Sequence, residues 1–255
     1  RTAFSGKIGR DEHGKIYREK LEDLGVSACL AEGEGSTGSS LVLVSDDGCR
    51  TMNTYLGMSQ ELQAPDIDPE VIEASKYLYL TGYLWDTDSQ KKAVRTSLDV
   101  AKRVETKVAL SLSDPFCVTR HKEDFKSLLQ GYVSMVFSNQ EEAFTLLDTN
   151  VTQEAVDIMS KWTETVVLTL GANGAIISHL GQTYYIDPLP IRVEDTTGAG
   201  DAFAAGFLFG MTHDFSPLES GRIGAALAGA VIEQTGSRFQ GHAHSLINEK
   251  LGIRL

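Results

Sequence analysis

A chain of 255 residues with 42% hydrophobic content can bury a substantial core as a single α/β domain with at most a small appendage, and its composition excludes disorder. A formal charge of −12 speaks against a nucleic-acid partner, whose phosphates are held by Lys/Arg surfaces, yet leaves room for a locally bound nucleotide. No apolar run is long enough to span a bilayer and no basic-then-apolar leader opens the chain; Cys29, Cys49 and Cys117 lack metal-ligand spacing, so the expectation is a cytoplasmic protein with reduced thiols and no membrane partner.

Residues 1–9 read as the interior of a domain and position 1 is not Met, which is read as a chain lacking its natural N-terminus. Residues 11–24 place Ile16, Tyr17, Leu21 and Leu24 at near-helical spacing, and Gly25 follows where a C′ glycine belongs. Ser40–Val44 reads as a strand, Asp46-Asp47-Gly48 as a hairpin turn, and Cys49–Leu56 as the returning strand that carries Arg50. Such a hairpin, about 36–57, interrupts a βαβ rhythm and predicts a small sheet projecting from the body, as a lid would. Asp68-Pro69 opens a short helix, Tyr77–Thr81 is an apolar strand, and 88–104 is an amphipathic helix. Strands at Lys107–Leu112, Val133–Phe137 and Thr165–Leu170 then alternate with helices at His121–Leu129 and Thr152–Lys161. Ala175–Ser178 and Thr183–Ile186 form a hairpin around Gly181, and Ser216-Pro217-Leu218-Glu219 is a capping box opening a helix to about Gln234. The alternation predicts a doubly wound, mainly parallel α/β sheet with helices on both faces, where ligands collect at the carboxyl ends of strands.

The stretch from Ile191 to Phe207 concentrates the chemistry. A β-branched run through Ile191 and Val193 predicts a strand, Gly198 and Gly200 a turn, and Asp201 the first turn of a helix. Glycines let backbone N–H groups approach an anion, the helix start adds donors and a positive dipole end, and Asp201 is placed to take a proton from an attacking hydroxyl. Packing glycines and a capping Asp are the alternative, and the residues alone leave the two readings balanced. Asn139 and Glu142 share one face of a starting helix and together can order the waters of Mg²⁺, although an ordinary helix cap explains them as well. Thr169, Gly171 and Gly174 end a strand in a turn that suits a nucleotide or is simply a β-turn. Arg50 offers planar donors that match phosphate, or is an exposed strand residue. Leu56 and Leu84 supply an apolar wall, and Tyr77, Tyr79 and Tyr83 read as core. No G-x-x-x-x-G-K-[ST], H-E-x-x-H or G-x-S-x-G is present, and His242-Ala243-His244 reads as a solvated tail.

Asp195-Thr196-Thr197-Gly198-Ala199-Gly200-Asp201-Ala202-Phe203 resembles the C-terminal signature of the ribokinase-like (PfkB) carbohydrate and nucleoside kinases, and the likeness runs from about Gly9 to about Phe239. The resemblance implies that Asp201 is the catalytic base and that the amides of Gly198, Ala199 and Gly200 form an anion hole. It also implies Mg²⁺ and phosphate handling by Asn139 and Glu142, an ATP site lined by Thr169, Gly171 and Gly174, and an adenine wall at Ala226 and Ala230. A monovalent cation, K⁺, would sit at Asp195 and Thr197. Thr37-Gly38, Arg50–Leu56 and Gln234–Phe239 are most similar to the adenosine kinase branch. There the resemblance implies that Arg50 reaches the transferring phosphate and Leu56 covers the base, with Leu84 and Asp114-Pro115-Phe116 near the acceptor. The implied reaction is ATP-dependent transfer to a primary hydroxyl of a nucleoside, the 5′-hydroxyl of adenosine first. The alternatives are a sugar kinase acting on ribose or fructose and a nucleotide-binding sensor without catalysis. A homodimer through the lid sheet is expected. The family's N-terminal part, with a substrate-binding Asp and a Gly-Gly-x-x-x-Asn segment, has no counterpart here, and Thr197 stands where some relatives carry Asn, so the acceptor is less fixed than the reaction.

Overall fold

The structure, a computed structural model, describes residues 1–44 and 50–253, so the expected turn at Asp46-Asp47-Gly48 lies outside the described residues. The chain forms two compact units, Arg1–Val108 and Ala109–Leu255.

The first unit opens with β1 (Ala3–Gly9), α1 (Glu12–Asp23) and β2 (Ser27–Gly33). The two strands pair in parallel from Ala3 opposite Ser27 to Gly9 opposite Gly33. Neither strand is legible in the sequence, because Gly6 and Lys7 in one and Ala28 and Ala31 in the other break the β-branched alternation that marks a strand. Helix α1 starts where Asp11 accepts the Gly14 N–H at 2.9 Å, and Gly25 stands just past it at φ +71°, the C′ position expected. β3 (Ser39–Val44) and β4 (Arg50–Tyr55) form their own antiparallel sheet, with Ser39 opposite Tyr55. After two 3-10 turns at 57–61 and 64–66 come α2 (Pro69–Glu73), β5 (Tyr77–Thr81), a 3-10 turn at 82–85 and α3 (Asp88–Val104). Helix α3 has the expected bounds and buries Ala93, Val94, Leu98 and Ala101.

β6 (Lys107–Ser111) spans the junction of the two units, and the second unit continues with α4 (Pro115–Gly131), β7 (Met135–Asn139), α5 (Gln140–Leu147), α6 (Thr152–Met159) and β8 (Thr165–Thr169). β9 (Ala175–His179), β10 (Gln182–Ile186), α7 (Ala199–Thr212), α8 (Pro217–Ile232) and α9 (Ala243–Leu251) complete it. The strand order in the main sheet is β10-β9-β8-β7-β6-β5. β6, β7 and β8 run parallel, and β9 and β10 add an antiparallel edge. Val136, Val166, Val167, Leu168 and Ile177 are fully buried, the unbroken apolar runs that a covered parallel sheet requires. Helix α4 begins six residues earlier than the helix expected from His121. Pro115 is an N1 residue there, Asp114 caps it, and non-helical angles at His121 divide it.

One expected element does not form. Residues 187–197 contain no strand, although Ile191 and Val193 are β-branched. Pro188 and Pro190 lack ladder donors, and the neighbouring amides turn instead to the end of α8. Glu194 and Asp195 both donate to the Ile232 carbonyl, at 2.8 and 3.2 Å, and the Arg192 N–H donates to Glu233 Oε1 at 3.2 Å. The segment is thereby pinned to a helix end. Helix α7 lies close along α8, where a Cβ on Gly206 would stand 2.8 Å from the Gly224 Cα, and Phe207 meets Phe137 of β7 edge to face at 5.8 Å. These contacts set the position of the α7 N-terminus. Among the described residues no helix is long and apolar enough to cross a membrane.

Candidate active site

Helix α7 begins without a capping side chain. Its N-cap is Gly198 at φ +81°, a conformation open to glycine, and a Cβ there would stand 2.9 Å from the Ser237 carbonyl oxygen. The first-turn donors are consequently left to other partners. The Ala199 N–H donates to the Thr196 carbonyl at 3.3 Å, whereas the amides of Gly198, Gly200 and Asp201 find no acceptor among the described residues. Among the described residues, leaving aside its chain neighbours and the backbone of its own helix, nothing comes within 4 Å of a Cβ built on Gly200. Free amides, the positive end of the helix dipole and open ground beside them make a seat for an anion. The amides expected from the sequence are those of Gly198, Ala199 and Gly200; here that of Ala199 is engaged by Thr196, and those without an acceptor among the described residues are Gly198, Gly200 and Asp201.

Asp201 sits in the first turn of α7 and, unlike Asp11, Asp68 and Asp114, caps nothing. Its carboxylate accepts no hydrogen bond among the described residues. The residue is exposed, yet the protein around the carboxyl strips enough water from it to raise its pKa above the ordinary 3.8. The helix-cap alternative therefore fails at this residue.

Asp195 holds the loop beneath. It is 8% exposed, and one oxygen accepts the Thr197 N–H at 2.9 Å and the Thr197 hydroxyl at 2.6 Å while the other accepts the Gly236 N–H at 3.0 Å. The carboxylate thus ties the 195–198 turn to the loop after α8. A monovalent cation at Asp195 and Thr197 would have to share the carboxylate with these three donors.

At the carboxyl ends of the parallel strands, Asn139 of β7 is the register partner of Thr169 of β8, so the N-x-x-E pair and the Thr-x-Gly turn come together. Asn139 and Glu142 form a reciprocal capping box: the Asn139 side chain accepts the Glu142 N–H at 2.9 Å, and Glu142 accepts the Asn139 N–H at 3.0 Å and its side-chain amide at 2.7 Å. The cap reading of this pair holds whatever else it does. Asp114, expected near the acceptor, caps α4 by accepting the Phe116 and Cys117 N–H groups at 2.7 and 3.1 Å. Of the two turn glycines, Gly174 is explained by packing, because a Cβ there would stand 1.9 Å from the Ile186 carbonyl oxygen. Gly171, at φ +58°, has nothing within 4 Å of such a Cβ and leaves the backbone approachable.

Burial pushes the Glu142 carboxyl up from 4.5 to about 7, with the charges of Asp114 and Glu141 adding to the shift and the Asn139 N–H opposing it. A carboxyl raised in the folded state contributes stability that is full below its unfolded pKa and is lost as pH rises through the folded value. In metal-free buffer this group should therefore remove up to about 3 kcal/mol of stability between pH 4.5 and pH 8. Glu142→Gln keeps a capping oxygen and should flatten that part of the curve. Urea unfolding across this range is the check, and a Gln variant with the parental slope would contradict the assignment.

Ala226 and Ala230 line a cleft of about 130 Å³ together with Gly229, Leu189, Pro190 and Ile191. The apolar side chains of 189–191 and the small face of α8 suit a flat ring. The α8 side of this cleft is legible in the sequence and the other is not, since Ile191 reads as a strand residue; the Pro-Leu-Pro run at 188–190 is the signal that marks it as loop.

In the first unit, the side chain of Arg50 lies outside the described residues. Leu56 is half-buried just ahead of the 57–61 turn, and Leu84 is half-buried in the 82–85 turn. Their segments are fastened together: the Thr87 hydroxyl donates to the Gln60 carbonyl at 3.0 Å, the Gln90 side-chain amide to the Ser59 carbonyl at 3.1 Å, and the Ser89 hydroxyl to the Leu62 carbonyl at 2.7 Å.

A helix start with unengaged amides beside an uncapped carboxylate is an arrangement that can serve phosphoryl transfer. The model of the pfkB family carbohydrate kinases matches residues 1–242, and the chain belongs to that family. An uncharacterized sugar kinase of Archaeoglobus fulgidus is 29% identical over 240 residues, covering 93% of each chain. Adenosine kinase 1 of Arabidopsis thaliana is 26% identical over 93% of this chain and 74% of its own. Among solved structures, adenosine kinase from Sinorhizobium meliloti superposes with a TM-score of 0.93 at 34% identity, covering 98% of this chain and 77% of that one. A probable sugar kinase from Rhizobium etli CFN 42 gives 0.93 at 35%, covering 97% and 76%. The protein is thus a kinase, a phosphotransferase with an alcohol group as acceptor, on the ribokinase-like α/β fold.

Proposed function

We propose that this chain transfers the γ-phosphoryl group of ATP to a primary hydroxyl of a nucleoside, the 5′-hydroxyl of adenosine being the first acceptor to test. The observation that carries the reading is Asp201, a first-turn carboxylate that caps nothing beside amides that have no acceptor among the described residues. Asp201 takes the proton of the acceptor hydroxyl as its oxygen attacks phosphorus, and the amides of Gly198, Gly200 and Asp201 stabilise the charge on the transferred group. Arg50 adds planar donors to the same charge. Thr169 and Gly171 line the nucleotide, and the cleft beside Ala226 and Ala230 takes its base. Glu142, already engaged with Asn139, would hold Mg²⁺ through water, and the ion would supply charge neutralisation across the phosphate oxygens.

Adenosine is supported by the adenosine kinases among the relatives and by the apolar Leu56 and Leu84. A sugar such as ribose or fructose is the second reading, supported by the probable sugar kinase of equal structural similarity. An ATP-consumption assay with adenosine, ribose and fructose separates them: adenosine-dependent turnover is expected, turnover with a sugar alone would move the assignment, and ATP binding without turnover would return the sensor reading. Exchanging K⁺ for tetramethylammonium in the same assay tests the cation. Leu41, Leu43, Met52 and Tyr55 are exposed on the β3–β4 sheet, which supports pairing with a second copy; sedimentation tests that.

A further inference from the structure

The root of the β3–β4 hairpin is locked by a carboxylate whose local role accounts for a fraction of its bonds. A cap for α1 needs the Asp11 bond to the Gly14 N–H, 2.9 Å from Oδ1. Asp11 makes two more, both to Thr37: Oδ1 accepts the Thr37 hydroxyl at 2.6 Å and Oδ2 accepts its N–H at 2.8 Å. The Thr37 oxygen in turn accepts the Gly9 N–H at 2.9 Å. The end of β1, the start of α1 and the outgoing leg of the hairpin are thus one hydrogen-bonded knot. The Thr37 hydroxyl, followed by the Thr37 and Gly14 amides, holds the Asp11 carboxyl down at about 2, so the knot is fully charged at neutral pH.

The knot reaches the returning leg through bare backbone. The Met58 N–H donates to the Ser36 carbonyl at 2.9 Å. A Cβ on Gly38 would stand 2.6 Å from the Leu56 carbonyl oxygen, and one on Gly57 would stand 2.4 Å from the Ser36 carbonyl oxygen. With no side chain between the legs, Thr37 cannot shift without moving Leu56 and Gly57. We propose that Asp11 is a positioning residue for acceptor binding, setting through Thr37 the angle at which the hairpin leaves the first unit and hence the placement of Leu56 and the strand that carries Arg50. This rests on the kinase reading above, in which the hairpin meets the acceptor.

Asp11→Ser separates the two roles, since serine keeps a capping oxygen for Gly14 but cannot serve both Thr37 donors. Thr37→Val removes the hydroxyl and keeps the shape and the N–H; Thr37→Ser keeps both donors. Asp11→Ser and Thr37→Val should each raise the acceptor KM by about 10- to 100-fold with the ATP KM within about twofold of the parent, and Thr37→Ser should behave as the parent. The double variant should be no worse than the poorer single one, because both break one knot. In Asp11→Ser, amide hydrogen exchange at Thr37 and Met58 should quicken by more than exchange in the main-sheet strands β6–β8. An unchanged acceptor KM, or acceptor and ATP KM rising together, overturns the positioning role. Absence of turnover with every acceptor in the parent sinks the kinase reading and the acceptor role with it; exchange still decides the lock, and unchanged exchange at Thr37 and Met58 overturns it.

Discussion

Asp201→Asn is expected to lower kcat by about 10²- to 10⁴-fold, the range of a lost general base, while the KM for ATP stays within about twofold. The substitution is nearly isosteric, and the carboxylate it removes has no hydrogen bond among the described residues to lose. Its effect on folding has the opposite sign. Burial raises the folded-state pKa of Asp201, so its stability contribution is full below the unfolded value and is lost as pH rises through the folded one. At neutral pH the ionised group therefore opposes folding, and the Asn variant should unfold at equal or higher urea concentration. The combination of a dead enzyme and an undiminished fold is the signature of a group kept for chemistry. The parent's kcat/KM should also fall on its acid side above the pH at which an ordinary Asp titrates, because the raised carboxyl must be ionised to act. Undiminished turnover in the variant would remove Asp201 from the mechanism.

The parts of this molecule that were legible in its sequence are those where local chemistry and tertiary context agree. Asp88–Val104 carries its period of burial openly, and Ser216-Pro217-Leu218-Glu219 caps α8 by its own side chains. Val193 and Ile191 misled because β propensity reports fit to a pleated surface, and here the surface on offer was the end of α8, whose Ile232 carbonyl takes the donors a neighbouring strand would have taken. β1 and β2 were hidden for the converse reason: their backbones pair in parallel along seven residues, while Gly6, Lys7, Ala28 and Ala31 leave no β-branched alternation to read. In the site, the order of motifs along the chain was readable, but the division of labour was not. That the Ala199 amide is spent on Thr196 while the Asp201 amide finds no acceptor among the described residues depends on the angle at which the turn enters the helix. The resemblance places Asp114 near the acceptor, and the cap it makes on the Phe116 and Cys117 amides is a second role not legible in the sequence.

The two glycines of the anion hole should respond to alanine in opposite ways. Gly198 sits at φ +81°, where an L residue costs about 1–2 kcal/mol, and its new Cβ would stand 2.9 Å from a backbone oxygen of Ser237 and 3.0 Å from its Cβ. That neighbour cannot retreat freely, because the adjoining Gly236 N–H is held by Asp195, which also holds Thr197. Gly198→Ala should therefore destabilise the fold by about 2–3 kcal/mol and, by tilting the amides, lower kcat/KM by about 10²-fold even where the variant is fully folded. Gly200→Ala meets no atom within 4 Å and gains helix propensity, so its stability should be unchanged or raised by up to about 1 kcal/mol. Its methyl group would nevertheless occupy the open ground proposed to seat the phosphoryl group, and kcat/KM should fall with the fold intact. Urea unfolding and initial-rate kinetics on the pair measure both signs. If Gly200→Ala works as well as the parent, the open ground beside the α7 amides is not where the phosphoryl group passes; if Gly198→Ala folds as well as the parent, the Ser237 contact yields and the Asp195 tie is looser than its three bonds indicate.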